Sequence, residues 1–357
     1  MRPRIALPLL AIITSLLLAV PAAAQTVRGV VVDEATRPVT GMLVRLVTPT
    51  GRAAAGGALT DAQGRFTLAA PAPGRYTVRA ERVGYRAAAI AVDLDVGQAA
   101  EVRLETAVQA FVLPPLEVSA MRCTVRPAAD DPAYALWEEA RKALETAAML
   151  QDARRVEYTV QTYGRVLVMH TGRMRRESGE PRRVTGNPFH TLTPAELVEG
   201  GYAREDRDSL SLYGPDARAL LSDEFLDTHC LYADPARSDR RTVVLAFEPV
   251  RHRRPADIRG SRPVDIRGTL RLDRHTGELR EVDYEYTGLV AEGQRVPAGG
   301  TVEFQRLPSG AWFVSRWSIR STRVASGTDW SRGGRQTAAI AEIREAGGEV
   351  TDAVLLP

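Results

Sequence analysis

Thr60-Asp61-Ala62-Gln63-Gly64-Arg65-Phe66-Thr67-Leu68 joins a turn to the start of a strand. The Asp61 carboxylate can accept hydrogen bonds from the backbone ahead of it, and Gly64 supplies the positive φ the turn needs. Phe66 and Leu68 then fall on one face of an extended chain. The same alternation of short β-like run and turn repeats on both sides, at spacings of about 8 to 12 residues. Val27 to Val32 reads as a first strand, closed by a turn from Asp33 to Pro38. Met42 to Val47 reads as a second, closed by Thr48-Pro49-Thr50-Gly51. Pro73-Gly74 turns into Arg75 to Ala80, where Tyr76 and Val78 alternate with Arg75, Thr77 and Arg79. Gly84-Tyr85 follows, and Val92 to Leu104 supplies the closing strands. A small β-sandwich is therefore expected over residues 25–106.

Four signatures stand in order across this region: Gly29, Val31 and Asp33 as G-x-V-x-D; Thr60 to Phe66 as T-D-x-x-G-x-F; Pro73 to Tyr76 as P-G-x-Y; and the pair Gly84-Tyr85. Together they resemble the carboxypeptidase regulatory-like family. The resemblance implies a seven-stranded prealbumin-like or carbohydrate-binding-like sandwich, common ahead of TonB-dependent outer-membrane receptors and in other exported proteins. Its motifs are turn and core positions, so they carry a fold and not a function. Tyr76 and Tyr85 could each stack on a sugar ring, but alternation favours Tyr76 as a core residue and Tyr85 as packing after its turn.

Upstream, Met1-Arg2-Pro3-Arg4 precedes an apolar run from Ile5 to Val20 and then Pro21-Ala22-Ala23-Ala24. A basic start, a short apolar middle and an A-x-A end make a secretory signal peptide over 1–24. The apolar run is shorter than the roughly 20 residues a membrane helix needs, and no later segment approaches that length. Export to the periplasm or the outer membrane is expected. The formal charge of +3 gives no mandate for nucleic acid. Arginines cluster at Arg173 to Arg183 and at Arg251-His252-Arg253-Arg254, read as solvated loop charge or, alternatively, as contacts to anionic lipid or surface polysaccharide. Cys123 and Cys230 are the only cysteines. In an oxidising compartment they are candidates for one disulfide.

Downstream, residues 107–131 form a proline-containing linker. Its Phe111 to Ala120 stretch is similar to the segment that follows this domain in TonB-linked receptors. About 235 residues follow it, too few for a plug and a 22-stranded barrel. Asp131-Pro132 then opens a helix over 132–153, with Leu136, Ala140, Ala143, Leu144, Ala147 and Leu150 on one face and Trp137 beside them. From 154 to 357 the period returns to two. Strands are expected at Val156 to Met169, Arg240 to Val250, Thr301 to Leu307, Trp312 to Arg320 and Gln336 to Arg344. Gly268 to Leu272 and Leu279 to Tyr286 form a hairpin about a turn at Asp273 to Gly277. Thr193-Pro194-Ala195-Glu196 starts a short helix with a capping box. The fold class is mostly β: sandwich, linker helix and an antiparallel sheet domain that loosely resembles the half-barrels of periplasmic lipoprotein carriers. Phe247, Tyr284, Tyr286, Phe304, Phe313 and Trp317 would line an apolar ligand site on the concave side of such a sheet, or form an ordinary core against the helix.

Reactive groups do not converge in the sequence. His275-Thr276-Gly277-Glu278 has the H-x-x-E spacing of zinc carboxypeptidases, but no further histidine follows to give the third ligand and the tetrapeptide falls in a tight turn, where both side chains would be exposed. Asp227-Thr228-His229-Cys230 places acid, base and thiol together, yet neighbours on a strand point to opposite faces. No H-E-x-x-H, G-x-S-x-G, Walker or G-x-G-x-x-G pattern occurs. The expectation is a non-catalytic envelope binding or structural accessory protein, without cofactor or metal. Envelope polysaccharide, lipid or an outer-membrane protein would be its partner. A carrier of lipid or another apolar ligand and an uncharacterised hydrolase are the alternatives.

Overall fold

The computed structural model describes residues 25–54, 56–109, 123–189, 191–206, 209–250, 263–291, 294–295, 297–329 and 335–356. The signal-like segment, the Phe111 to Ala120 stretch, the Arg251 to Arg254 cluster, His190 and His252 lie outside them.

Seven strands make the first unit: β1 (Gln25–Asp33), β2 (Leu43–Val47), β3 (Ala58–Leu59), β4 (Arg65–Ala70), β5 (Gly74–Glu81), β6 (Ala88–Leu94) and β7 (Ala99–Thr106). They form two sheets, β4-β1-β7 and β3-β2-β5-β6. Asp61 organises its turn as the sequence implies: its Oδ1 accepts from the backbone N–H of Gln63 at 2.9 Å and of Arg65 at 2.8 Å, with Gly64 at φ 71°. Phe66, Leu68, Tyr76 and Val78 meet Val27, Val31 and Leu46 in one core. The Tyr76 hydroxyl donates to Ala72 O at 2.8 Å, which satisfies the polar tip of a core ring.

Helix α1 (Pro132–Asp152) begins with Asp131, whose Oδ1 accepts from Ala133 N–H at 2.8 Å. All six stripe residues and Trp137 are buried. The elements after it are β8 (Val156–Val168), β9 (Arg173–Ser178), β10 (Arg182–Thr185), α2 (Pro194–Gly200), β11 (Ala203–Asp206), β12 (Ser209–Leu212), α3 (Ala217–Leu221), α4 (Asp223–Thr228), β13 (His229–Ala233), β14 (Thr242–Pro249), β15 (Asp265–Asp273), β16 (Leu279–Thr287), β17 (Val290–Ala291), β18 (Gln294–Arg295), β19 (Gly299–Arg306), β20 (Trp312–Asp329) and β21 (Arg335–Leu355). Ten of these strands form one antiparallel sheet in the order β10-β8-β21-β20-β19-β16-β15-β14-β13, with β9 also pairing β8. The ends do not meet, so among the described residues this is an open sheet and not a closed barrel. Val282, Tyr284 and Tyr286 turn into the core beneath α1, while Glu281, Asp283 and Glu285 face the other way.

Two expectations are corrected. Strands β20 and β21 run 18 and 21 residues, well past Arg320 and to both sides of the Gln336 to Arg344 stretch. Outside the core these strands carry small and polar residues, whose alternation gives no apolar signal. Arg173 to Arg183 is not loop: it supplies edge strands β9 and β10, whose arginines stand in water while Val184 of β10 packs against the core.

The second core also receives a residue of the first unit, Val83. Gly41, at φ 71°, sits so close to Ser309 and Gly310 that a Cβ there would collide with their backbone. The Arg82 Nη1 donates to Thr40 O at 2.6 Å beside this contact. At the far edge of the sheet, Cys123 and Cys230 form a disulfide with Cα atoms 5.0 Å apart. Next to it, Thr124 and Leu231 exchange backbone hydrogen bonds of 3.0 and 2.8 Å, so the end of the linker extends the sheet beyond β13.

Candidate functional site

The outward face of β2 and β5 would be solvated charge in an isolated sandwich. Here it meets the charged face of α1. Glu81, at the end of β5 and 3% exposed, is paired to Arg45 at 3.1 Å, Arg79 at 2.7 Å and Arg141 of α1 at 3.0 Å. Arg45 and Arg141 both reach Glu145 at 2.7 Å, and Arg141 also reaches Glu138 at 2.8 Å. Burial alone would push the Glu81 carboxyl up; Arg141 and Arg79 outweigh it and hold the group down to about 2. Burial works against the Arg141 charge too, but Glu138, Glu145 and Glu81 together raise its pKa above the usual arginine value. This buried ion cluster joins the sandwich to the helix that covers the sheet.

The Asp227 to Cys230 stretch is dispersed by its partners. Asp227 pairs with Arg126 of the linker at 2.7 Å, and Cys230 is spent in the disulfide. His229, 1% exposed, turns the opposite way. Its Nε2 lies 3.1 Å from Asp265 Oδ1 and 3.2 Å from Ile266 O, and its Nδ1 lies 3.1 Å from Phe225 O. Stacked on Phe225 at 4.0 Å between centroids, the ring is a clamp between α4, β13 and β15. In the H-x-x-E turn His275 is exposed. Glu278 is not, contrary to expectation: it is buried because Arg280 and Arg306 close on it at 2.7 and 3.3 Å. Among the described residues no three His, Cys, Asp or Glu side chains gather where they could hold a metal ion.

The six aromatic positions come together as core. Phe247, Tyr284, Tyr286, Phe304, Phe313 and Trp317 all belong to the cluster packed beneath α1. Phe313 meets Tyr158 at 5.9 Å, Trp317 meets Phe189 at 5.7 Å, and Tyr286 donates to Tyr213 O at 3.0 Å. A cleft of about 1150 Å³ lies at the ends of β14, β15, β16 and β19 and against the middle of β20 and β21. Tyr284 and Tyr286 border it with their side chains buried; its open walls carry Asp283, Arg320 and the pair Arg267 and Glu285, 2.8 Å apart. Burial raises the Asp283 carboxyl, with Arg320 opposing. Much of the rest of the lining is apolar, with Pro249, Val250, Pro263, Leu289, Pro297 and Ile343, so the cleft sets charged pairs beside apolar walls.

Nothing in the sequence pointed to Glu81. Glu138, Arg141 and Glu145 recur at helical spacing, and Arg45, Arg79 and Glu81 share one sheet face. Each set alone reads as a wet surface.

Residues 26–107 match the family model of the carboxypeptidase regulatory-like domain, so the first sandwich is a domain of that family. No curated protein matches the chain. Among solved structures it is similar to the minor pilin GBS52 of Streptococcus agalactiae, with 21% identity, 27% of this chain and 47% of that chain covered, and a TM-score of 0.21. It is also similar to the shaft pilin spaA of Lactobacillus rhamnosus GG, at 10% identity, 64% and 88% coverage and TM-score 0.21. BcpA, the major pilin subunit of Bacillus cereus, aligns at 8% identity, 90% and 95% coverage and TM-score 0.21. The chain thus spans less than half the length of GBS52, and at these scores the likenesses carry no functional weight.

Proposed function

We propose that this protein is an exported, non-catalytic accessory protein of the cell envelope, in which the regulatory-like sandwich of residues 25–106 is a docking module for an envelope partner. In this reading residues 107–131 are linker, 132–153 the covering helix and 154–357 the sheet domain that presents the module. The observation that carries it is the buried cluster about Glu81, reinforced by Val83 in the second core. A module tethered only by a flexible linker would not need a buried carboxylate shared among three arginines, which costs desolvation and is stable only in a fixed arrangement. The partner is polysaccharide, lipid or an outer-membrane protein.

Fractionation of the envelope followed by native mass spectrometry tests this. The expected result is an envelope-associated chain, cleaved near Ala24 and free of stoichiometric small-molecule cargo. A stoichiometric lipid would replace it with the carrier reading. An activity lost on chelation or on histidine substitution would replace it with a hydrolase.

A further inference from the structure

Arginines on the outer face of the large sheet are matched across strands: Arg267 with Glu285 at 2.8 Å, Arg271 with Glu281 at 3.4 Å, Arg316 with Glu349 at 2.9 Å. The edge formed by β9 and β10 breaks this rule. Arg173, Arg175, Arg176, Arg182 and Arg183 are all exposed. Arg175 has only a long contact, to Glu177 at 4.0 Å, while Arg183 reaches Glu157 at 3.4 Å. Among the described residues Arg173, Arg176 and Arg182 have no carboxylate within ion-pair distance. Arg176 also stands directly opposite Arg165 in the β8–β9 register, a like-charge pair relieved only on the Arg165 side, by Glu345 at 3.4 Å.

An edge strand guarded against aggregation needs charge, but not a like-charge pair, and it does not need apolar side chains. Here both occur. Met174 on β9 is 51% exposed and Met169 at the hairpin turn 45%. On the helix side of the same hairpin, a trough of about 380 Å³ runs under Arg175; Val166, Ile319, Leu212 and the half-exposed Leu210 give it apolar walls, and Arg165, Glu177, Arg344 and Glu345 charged ones. Guanidinium groups without a carboxylate partner beside exposed methionines match a surface that is anionic outside and apolar just beneath. A soluble acidic polysaccharide would use the charge and leave the apolar groups idle.

We propose that the β8–β9 hairpin and β10 form a docking edge for an anionic lipid surface, with the arginines on headgroups and Met169 and Met174 at the acyl boundary. The proposal goes beyond the envelope reading, on which it rests for location, by placing a second contact, with lipid, on the sheet domain. It fails independently of it, since fractionation reports location and the test below reports the surface.

The test is cosedimentation of the full chain with vesicles of phosphatidylcholine and phosphatidylglycerol, compared with phosphatidylcholine alone. Binding is expected only to the anionic vesicles and is expected to weaken at high salt. The variant R173S/R176S/R182S is expected to bind about a hundredfold more weakly, at about fivefold per arginine near an anionic surface. R267S/R271S/R316S alters net charge equally and should stay within about twofold of the parent if the edge and not bulk charge is responsible. Circular dichroism should be unchanged in the edge variant, because its three side chains are exposed and, among the described residues, their only protein partner is the Met174 sulfur, 3.3 Å from Arg176 Nε. Equal losses in the two triple variants, or equal binding to neutral vesicles, would overturn the proposal. So would unaltered vesicle binding by M169S/M174S together with equally tight binding to dextran sulfate, which would assign the edge to soluble polyanions.

Discussion

Glu81→Gln keeps the shape of the junction and removes its central charge. The carboxyl is held at about 2 in the fold against an ordinary 4.5, a displacement equivalent to about 3 kcal/mol of stabilisation. The geometry gives a similar figure. Removing one partner of a buried ion pair costs about 3 to 5 kcal/mol. The low end applies, because Arg45 keeps Glu145, Arg141 keeps Glu138 and Glu145, and Arg79, 42% exposed, can turn to water. The folded pKa lies below the unfolded one, so the stabilisation is complete above about pH 5 and is lost as pH falls from 4.5 through 2. The assay is urea unfolding across that range, read by circular dichroism and by tryptophan fluorescence. All four tryptophans, Trp137, Trp312, Trp317 and Trp330, lie after the sandwich, so fluorescence reports the sheet domain and circular dichroism the whole chain. Parent transitions by the two probes are expected to coincide, and those of the variant to separate. A parent-to-variant difference under about 1 kcal/mol at neutral pH, or one that persists unchanged to pH 3, would refute the coupling argument.

Two further outcomes follow from the packing. Cys123→Ser, or reduction of the parent, is expected to lose about 4 to 5 kcal/mol in the chain-entropy picture, since the bond closes a sequence separation of 107 residues; thiol labelling of the native protein should find no reactive cysteine, and labelling of either residue would contradict the bond. Gly268→Ala is expected to destabilise by at least about 2 kcal/mol in the same unfolding assay, because a Cβ there would press on Asp283 O and the Phe247 ring in the middle of the sheet; a stability equal to the parent would show that β15 and β16 are not so closely apposed.

What was legible in the sequence is what local chemistry specifies. Asp61 and Gly64 define their turn within four residues, the α1 stripe needs only the helical period, and Val282, Tyr284 and Tyr286 need only the strand period. The edge strands β9 and β10 escaped because β9 is exposed throughout and β10 offers only Val184 to the core, which leaves no apolar alternation to read. The outer reaches of β20 and β21 escaped because small and polar residues there carry no such alternation either. The junction at Glu81 escaped for a different reason. Its charges are distributed over β2, β5 and α1, separated by up to 100 residues, and each set is amphipathic in a way that predicts water on its polar side. Pairing two polar faces is a tertiary event that no period encodes. It is also why the six aromatic residues could not be sorted in the sequence between ligand lining and core. That distinction depends on α1, whose apolar stripe seals the same face those rings occupy, so the surface left for recognition is the polar one: the charged cleft, the junction-bound sandwich and the arginine edge.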